Sequence, residues 1–312
     1  MPAQKSRYLL LAGAALLAAS ALHQTARAAD CQLIIDADFP VTYAGLSPII
    51  TVDIKQHPLR MMVDSGSATS FLSAAAYNAL GLDDMDHVPG NYVNGLGGTV
   101  QINTFVEQDM NFGAVKLHDE VLPVSDQFIP KENGKPIADG IIGYDILQFF
   151  DIGLDLPDHR ITFYTSRNCA NAQTPWIGTF APAAFIRPHD YSPEIPVTID
   201  GQSLNMVLDT GAEGTVVTQA ALTRLGVKPE ALAPQTGTGS GFGNEAFGYR
   251  NMEFTDVAIG AEDFSDDWVL VDMTKQAELD AYSDGFLGED YLSTHRVFIS
   301  NSTATAYLGL SQ

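Results

Sequence analysis

Two short acidic motifs carry the chemistry that this sequence could perform. Asp64-Ser65-Gly66 and Asp209-Thr210-Gly211 each follow an apolar run, Met61-Met62-Val63 and Met206-Val207-Leu208, and they lie 145 residues apart. The same offset relates Leu80-Gly81 to Leu225-Gly226. It also relates Asp139-Gly140-Ile141-Ile142-Gly143-Tyr144-Asp145 to Asp284-Gly285-Phe286-Leu287-Gly288-Glu289-Asp290. Three paired features at one offset mark a duplicated unit with an acid in each copy. Two copies can bring their carboxylates together at a shared interface. Such a pair resists double ionisation, holds one proton between its members, and can serve as acid and base at once.

The surrounding residues predict elements that would hold those acids. Ile50, Val52 and Ile54 alternate with Thr51, Asp53 and Lys55, and Val197 and Ile199 alternate with Thr198 and Asp200, a period of two that predicts half-buried strands. Asp200-Gly201 is a hairpin turn signal. The return strands carry Leu59, Met61 and Val63, or Leu204, Met206 and Leu208, and run straight into the acids. A short helix is expected after each: Ser73 caps residues 74–80 and Gly81 ends them, while Thr218 caps residues 219–225 and Gly226 ends them. Further short helices are expected over 144–149 and 289–294. Strands are expected over 152–156 with 161–164 and over 297–299 with 306–310, and one over 176–186 leads into the second copy. Short strands dominate, so the fold class is mainly β: two tandem closed β-barrel domains with short helices, related by a pseudo-twofold axis, the site at their interface. The divisions are 1–28, 29–170 and 171–312.

Residues 1–28 read as a secretory signal peptide, with Lys5 and Arg7, a 15-residue mostly apolar run from Tyr8 to Leu22, and Ala26-Arg27-Ala28 at the cleavage site. The run is too short to span a bilayer, so stable membrane insertion is not expected. The expected location is the periplasm or the extracellular space. The full chain has 16 basic and 38 acidic residues, and loss of Lys5, Arg7 and Arg27 leaves 13 against 38, a formal charge of −25. That charge opposes nucleic acid as a partner. The two cysteines, Cys31 and Cys169, flank the first copy, and an oxidising compartment would favour a disulfide between them; two unpaired thiols are the alternative. The seven histidines show no ligand spacing, so no metal site or cofactor is expected.

Taken together, the tripeptides, the helix ending in Leu-Gly, the Gly-rich stretches and the apolar-apolar-Gly-x-Asp element resemble the aspartic peptidases of the pepsin and retropepsin superfamily. More narrowly, they resemble bacterial retropepsin-like proteins with two such domains in one chain. The resemblance spans roughly residues 47–165 and 193–310. It implies retropepsin-like barrels and an aspartic endopeptidase, with Asp64 and Asp209 catalytic on a shared water and a protein or peptide as substrate. A monomer suffices, because each chain carries both halves. Carboxylates about 3 Å apart would repel by about 5 kcal/mol at an effective dielectric of 20, enough to retain a proton. Ser65, Gly66, Ser67, Thr210, Gly211 and Ala212 would support the active-site loops, the two hydroxyls of Ser65 and Thr210 bracing them across the interface. Ile141, Ile142, Gly143, Phe286, Leu287 and Gly288 would pack beside them. Gly95, Leu96, Gly97 and Gly98, with Gly241, Phe242 and Gly243, would form flaps over the substrate; ordinary surface turns are the alternative. Ser67 stands where the second copy has Ala212, so its hydroxyl is expected to favour the ionised form of Asp64; packing alone is the alternative. Asp139 and Glu213 either tune the pair or sit at the surface. A second reading of the whole chain is a catalytically inactive peptide-binding protein that kept this fold.

Overall fold

The computed structural model describes residues 31–85, 91–95, 98–127, 129–169, 174–187, 192–232, 234, 236–240, 246–272 and 283–310. The expected signal peptide, Leu96, Gly97, Gly241, Phe242 and Gly243 lie outside the described residues.

The first half opens with strands β1 (Gln32–Pro40), β2 (Thr42–Ala44), β3 (Ser47–Ile54), β4 (His57–Val63) and β5 (Phe71–Leu72), then helix α1 (Ala74–Leu80). It continues through β6 (Asn91–Gly95), β7 (Gly98–Ile102), β8 (Phe105–Phe112), β9 (Val115–Pro123), β10 (Lys131–Glu132) and β11 (Lys135–Pro136). It closes with β12 (Gly140–Ile142), α2 (Tyr144–Leu147), β13 (Asp151–Asp155) and β14 (Arg160–Arg167). The second half runs β15 (Phe180–Ala184), β16 (Glu194–Ile199), β17 (Gln202–Leu208), β18 (Val216–Val217), α3 (Gln219–Arg224) and β19 (Gly237–Ser240). After it come β20 (Ala246–Ile259), β21 (Glu262–Asp272), β22 (Gly285–Leu287), α4 (Glu289–Leu292), β23 (Arg296–Ser300) and β24 (Thr305–Gly309).

Each half winds six of these strands into a ring. In the first, β3 pairs with β4, β4 with β12, β12 with β5, and β3 also with β8, which pairs with β9. A bridge between Leu72 and Val124, next to β9, closes it. In the second the order is β16, β17, β22, β18, β21, β20 and back to β16. The alternation read from the sequence is visible in the burial: Ile50, Val52 and Ile54 point inward while Thr51 and Asp53 are exposed. Both helices after the acids are capped by hydroxyls, Ser73 Oγ accepting from the Ala76 N–H at 3.0 Å and Thr218 Oγ1 from the Ala221 N–H at 3.3 Å.

The terminal strands of each copy do something the sequence did not disclose. Instead of completing their own barrels, they form one six-stranded sheet shared by both halves, in the order β1-β14-β13-β23-β24-β15. Adding 145 to a residue number carries β13 into β23 and β14 onto β24, so the order reads the same from both ends. At its centre Gly153 faces Phe298, a pair itself separated by that offset, so the pseudo-twofold axis passes between them. Period-two patterning predicts that a segment is a strand and carries no information on which strand it pairs with.

Polar bonds across the sheet fix the halves to each other. Buried Asp151 accepts from the Ser302 N–H at 2.8 Å, from Ser302 Oγ at 2.7 Å and from the hydroxyl of Ser166. Arg296 donates to Asp155 at 2.9 Å and to Asp158 at 2.5 Å. Cys31 and Cys169 are joined by a disulfide, their Cα atoms 4.5 Å apart, tying the start of β1 to the end of β14. The main apolar core runs through both halves. A separate cluster in the first half, with Ile49, Met62, Phe71 and Ile141, packs under the β6–β7 hairpin through Val100 and Ile102.

Candidate active site

Strands β4 and β17 end at Asp64 and Asp209. Beside each runs a parallel strand, β12 or β22, which takes the next main-chain bond: the Asp64 N–H donates to Ile142 O and the Asp209 N–H to Leu287 O, both at 3.0 Å. Each acid is therefore fixed by backbone on two sides before its side chain makes any contact. The turns that follow are crossed by reciprocal hydrogen bonds. The Ser65 N–H donates to Thr210 Oγ1 and the Thr210 N–H to Ser65 Oγ, each at 3.1 Å. Ser65 Oγ donates to Leu208 O at 2.6 Å and Thr210 Oγ1 to Val63 O at 2.7 Å. All of these groups are buried, where an unmade bond would cost about 1–3 kcal/mol, so the two loops hold one relative position.

That position brings the carboxyls of Asp64 and Asp209 into hydrogen-bond contact with each other. Both residues are 9% exposed. The glycines make room for the approach. A Cβ on Gly66 would lie 2.2–2.4 Å from the Asp209 carboxylate, and one on Gly211 2.4–2.5 Å from that of Asp64. What these glycines admit is the opposite acid itself, not merely another backbone.

Burial pushes both acids above the ordinary carboxylate range, and for Asp64 the neighbouring charge of Asp209 adds to it. The Gly66 and Ser67 N–H groups donate to Asp64 Oδ1 at 3.0 and 2.9 Å, and the Gly211 N–H donates to Asp209 Oδ1 at 2.8 Å. The two acids titrate together and hold one proton between them. The Ser67 hydroxyl donates to Thr69 O at 2.9 Å, and only its N–H reaches Asp64 Oδ1, also at 2.9 Å.

A second brace was not read from the sequence. Ser70 Oγ donates to Asp145 at 2.6 Å and accepts from the Gly143 N–H at 2.9 Å. In the other half Thr215 Oγ1 donates to Asp290 at 2.7 Å and accepts from the Gly288 N–H at 3.2 Å. The Tyr144 and Glu289 N–H groups then bond Ser67 O and Ala212 O at 2.7 and 2.8 Å. The signal was present: Ser70 and Thr215, like Asp145 and Asp290, are related by the duplication offset. Ile141, Ile142 and Leu287 are buried beside the loops and Phe286 is half-buried. Gly95 and Gly98 pair at the end of the β6–β7 hairpin, and Ser240 pairs with Ala246 in its counterpart, with the tips outside the described residues. Asp139 accepts from the Arg60 N–H at 2.9 Å, away from the pair, and Glu213 is exposed. Among the described residues no group of three or more His, Cys, Asp or Glu is arranged to hold a metal ion.

Two six-stranded barrels that meet at paired, strand-end carboxyls define the double-barrel class of acid-dyad proteins. The chain belongs to the aspartyl protease family, whose profile matches residues 50–146 and 195–291. A solved aspartic proteinase from Irpex lacteus shares the fold, with a TM-score of 0.52 at 11% identity over 91% of this chain and 98% of that one. No curated protein matches the chain.

Proposed function

We propose that the protein is an aspartic endopeptidase, exported as a precursor whose residues 1–28 are removed, with domains over 29–170 and 171–312. The observation that carries the reading is the buried contact between the Asp64 and Asp209 carboxyls, each held by backbone on two sides. The ionised member of the pair takes a proton from a water held between the acids. The protonated member gives its proton to the oxygen of the scissile carbonyl as the water oxygen bonds to carbon. The tetrahedral diol then collapses, the C–N bond breaks, and a carboxyl proton passes to the leaving amine. No covalent enzyme adduct forms. An extended protein or peptide substrate lies between the halves under the β6–β7 and β19–β20 hairpins, which act as flaps. The leader sequence supports a periplasmic or secreted location. Among the described residues no helix is long and apolar enough to cross a membrane.

The test is cleavage of an unfolded protein mixture from pH 3 to 8 by the processed wild type, Asp64→Asn and Asp209→Asn. Each variant is expected to lose cleavage by about 10³-fold or more while its melting temperature stays close to that of the wild type, because the amide is nearly the same size as the carboxyl it replaces. Cleavage that persists in either variant overturns the mechanism. A wild type that binds peptides and cuts none across that range would instead support the inactive peptide-binding reading.

A further inference from the structure

One carboxyl next to the pair is unaccounted for. Glu289 is the first residue of α4 and is fully buried, and neither of its carboxyl oxygens has a hydrogen-bond partner. Its own N–H bonds Ala212 O, so it is anchored to the loop that presents Asp209. The pseudo-twofold axis shows why the side chain is stranded. Its counterpart, Tyr144, donates its hydroxyl to Asn301, whose amide bonds Phe150 O at 2.7 Å. The residue that matches Asn301 in the other half is Leu156, which is apolar and buried. The Glu289 slot has therefore lost the amide that serves its twin.

The charged groups around it give no relief. Those acting on Glu289 are Asp209 from the active-site loop and Asp290 from its own helix, both acidic. From β2, Tyr43 also faces it, but the Tyr43 hydroxyl is committed to Leu156 O at 3.0 Å. His159 lies edge-on to Tyr43, with ring centroids 5.3 Å apart, and Glu213 points at Gly45. An anion in this slot would lack a hydrogen-bond donor and face two further acids, so only the neutral acid fits.

We propose that Glu289 is a positioning residue whose protonated carboxyl keeps α4 seated under the Asp209 loop, and whose ionisation unseats that loop and disables the site. This rests on the peptidase reading for its functional half. Burial, then the charges of Asp209 and Asp290, push Glu289 up to about 9, which places the transition on the alkaline side. Loss of the proton breaks only an O–H bond, with hydroxide as the acceptor. The event is local because Glu289 and Asp290 hold the loop through Ala212 and Thr215.

The test follows hydrogen exchange of the loop 209–215 from pH 5 to 10.5, taken relative to its counterpart 64–70 to remove the intrinsic pH dependence of exchange. Peptide cleavage after each incubation is read in parallel. In the wild type, protection of 209–215 and cleavage are expected to fall together in a one-proton transition near pH 9. Glu289→Gln is expected to move the midpoint up by at least one pH unit, and Tyr144→Phe to leave it in place. The double variant Glu289→Tyr with Leu156→Asn copies the intact pair and carries the same expectation should Glu289→Gln not fold. A midpoint that stays put in the variants of Glu289 overturns the proposal. A moved exchange midpoint in a protein that never cleaves upholds the structural device and overturns the peptidase reading. Cleavage with an unmoved midpoint does the opposite.

Discussion

The two halves repeat one plan and differ where they face outward. Around the acids they agree closely: strand-end Asp, a hydroxyl that crosses to the other loop, a glycine under the opposite carboxyl, and an Asp that secures a Ser or Thr. Outside the barrels they diverge. In the first half β7 and β8 are separate strands, and the β6–β7 hairpin stands as its own two-stranded sheet over an apolar cluster. In the second half β20 runs unbroken for 14 residues from its hairpin into the barrel. At the position of Ile49 it has buried Glu194. The backbone of the paired loops tolerates little drift, because each half is the other's binding partner, whereas the outer face of each barrel answers to no symmetry mate.

The largest loss of activity is expected at the glycines. Gly66→Ala and Gly211→Ala each force a methyl into the opposite carboxylate, and cleavage is expected to fall by at least about 10³-fold in both, with similar losses. An unequal result, read as kcat/KM at the pH of maximal activity, would show that one half alone sets the spacing. Next in size is the disulfide, which only the first half possesses. Its reduction is expected to cost about 2–4 kcal/mol, below the chain-entropy ceiling of about 5 kcal/mol for so long a loop, read as a drop in the denaturant midpoint, with the paired loops intact until unfolding.

Glu194 offers a smaller, pH-dependent contrast with Ile49. Burial, then the charge of Asp284, push it from the ordinary 4.5 to about 7, against a hydrogen bond from Ser283 that pulls it down. A raised folded-state value means that the native protein holds this proton more tightly than the unfolded chain. The contribution is therefore intact below pH 4.5 and is lost as pH rises to 7, at most about 3 kcal/mol. Glu194→Gln is expected to gain melting temperature relative to the wild type between pH 4.5 and 8; parallel melting curves would refute it. The smallest effect is assigned to Ser67→Ala. Since the hydroxyl serves Thr69 O, the acid limb of the pH–rate profile is expected to move by less than about 0.3 unit, and a larger shift would restore a direct link to Asp64.

Much of the fold and the loop geometry was legible because duplication writes itself twice. The repeated offset, the apolar alternation before each acid and the Leu-Gly helix ends were enough for two barrels and for a meeting of Asp64 with Asp209. Hydrogen-bond choice was less legible. Ser67 has an acid and a carbonyl within reach, and only the turn geometry decides that Thr69 O accepts from it. Ser70 and Thr215 differ in type, so their common duty disappears unless hydroxyls are treated as equivalent across the repeat. Glu289 was hidden for another reason: an acid beside another acid in sequence, Asp290, reads as a solvated surface, whereas one of the two is turned inward.

Because the axis falls between Gly153 and Phe298, a fragment made of either half alone would leave a bare strand edge, with main-chain donors and acceptors free along β13 or β23. A second copy of the fragment could dock there, setting glycine against glycine or phenylalanine against phenylalanine. In one polypeptide this position need not match itself: a small residue stands opposite a bulky one, with Tyr164 and Trp176 at 3.2 and 3.3 Å from where the glycine's side chain would begin.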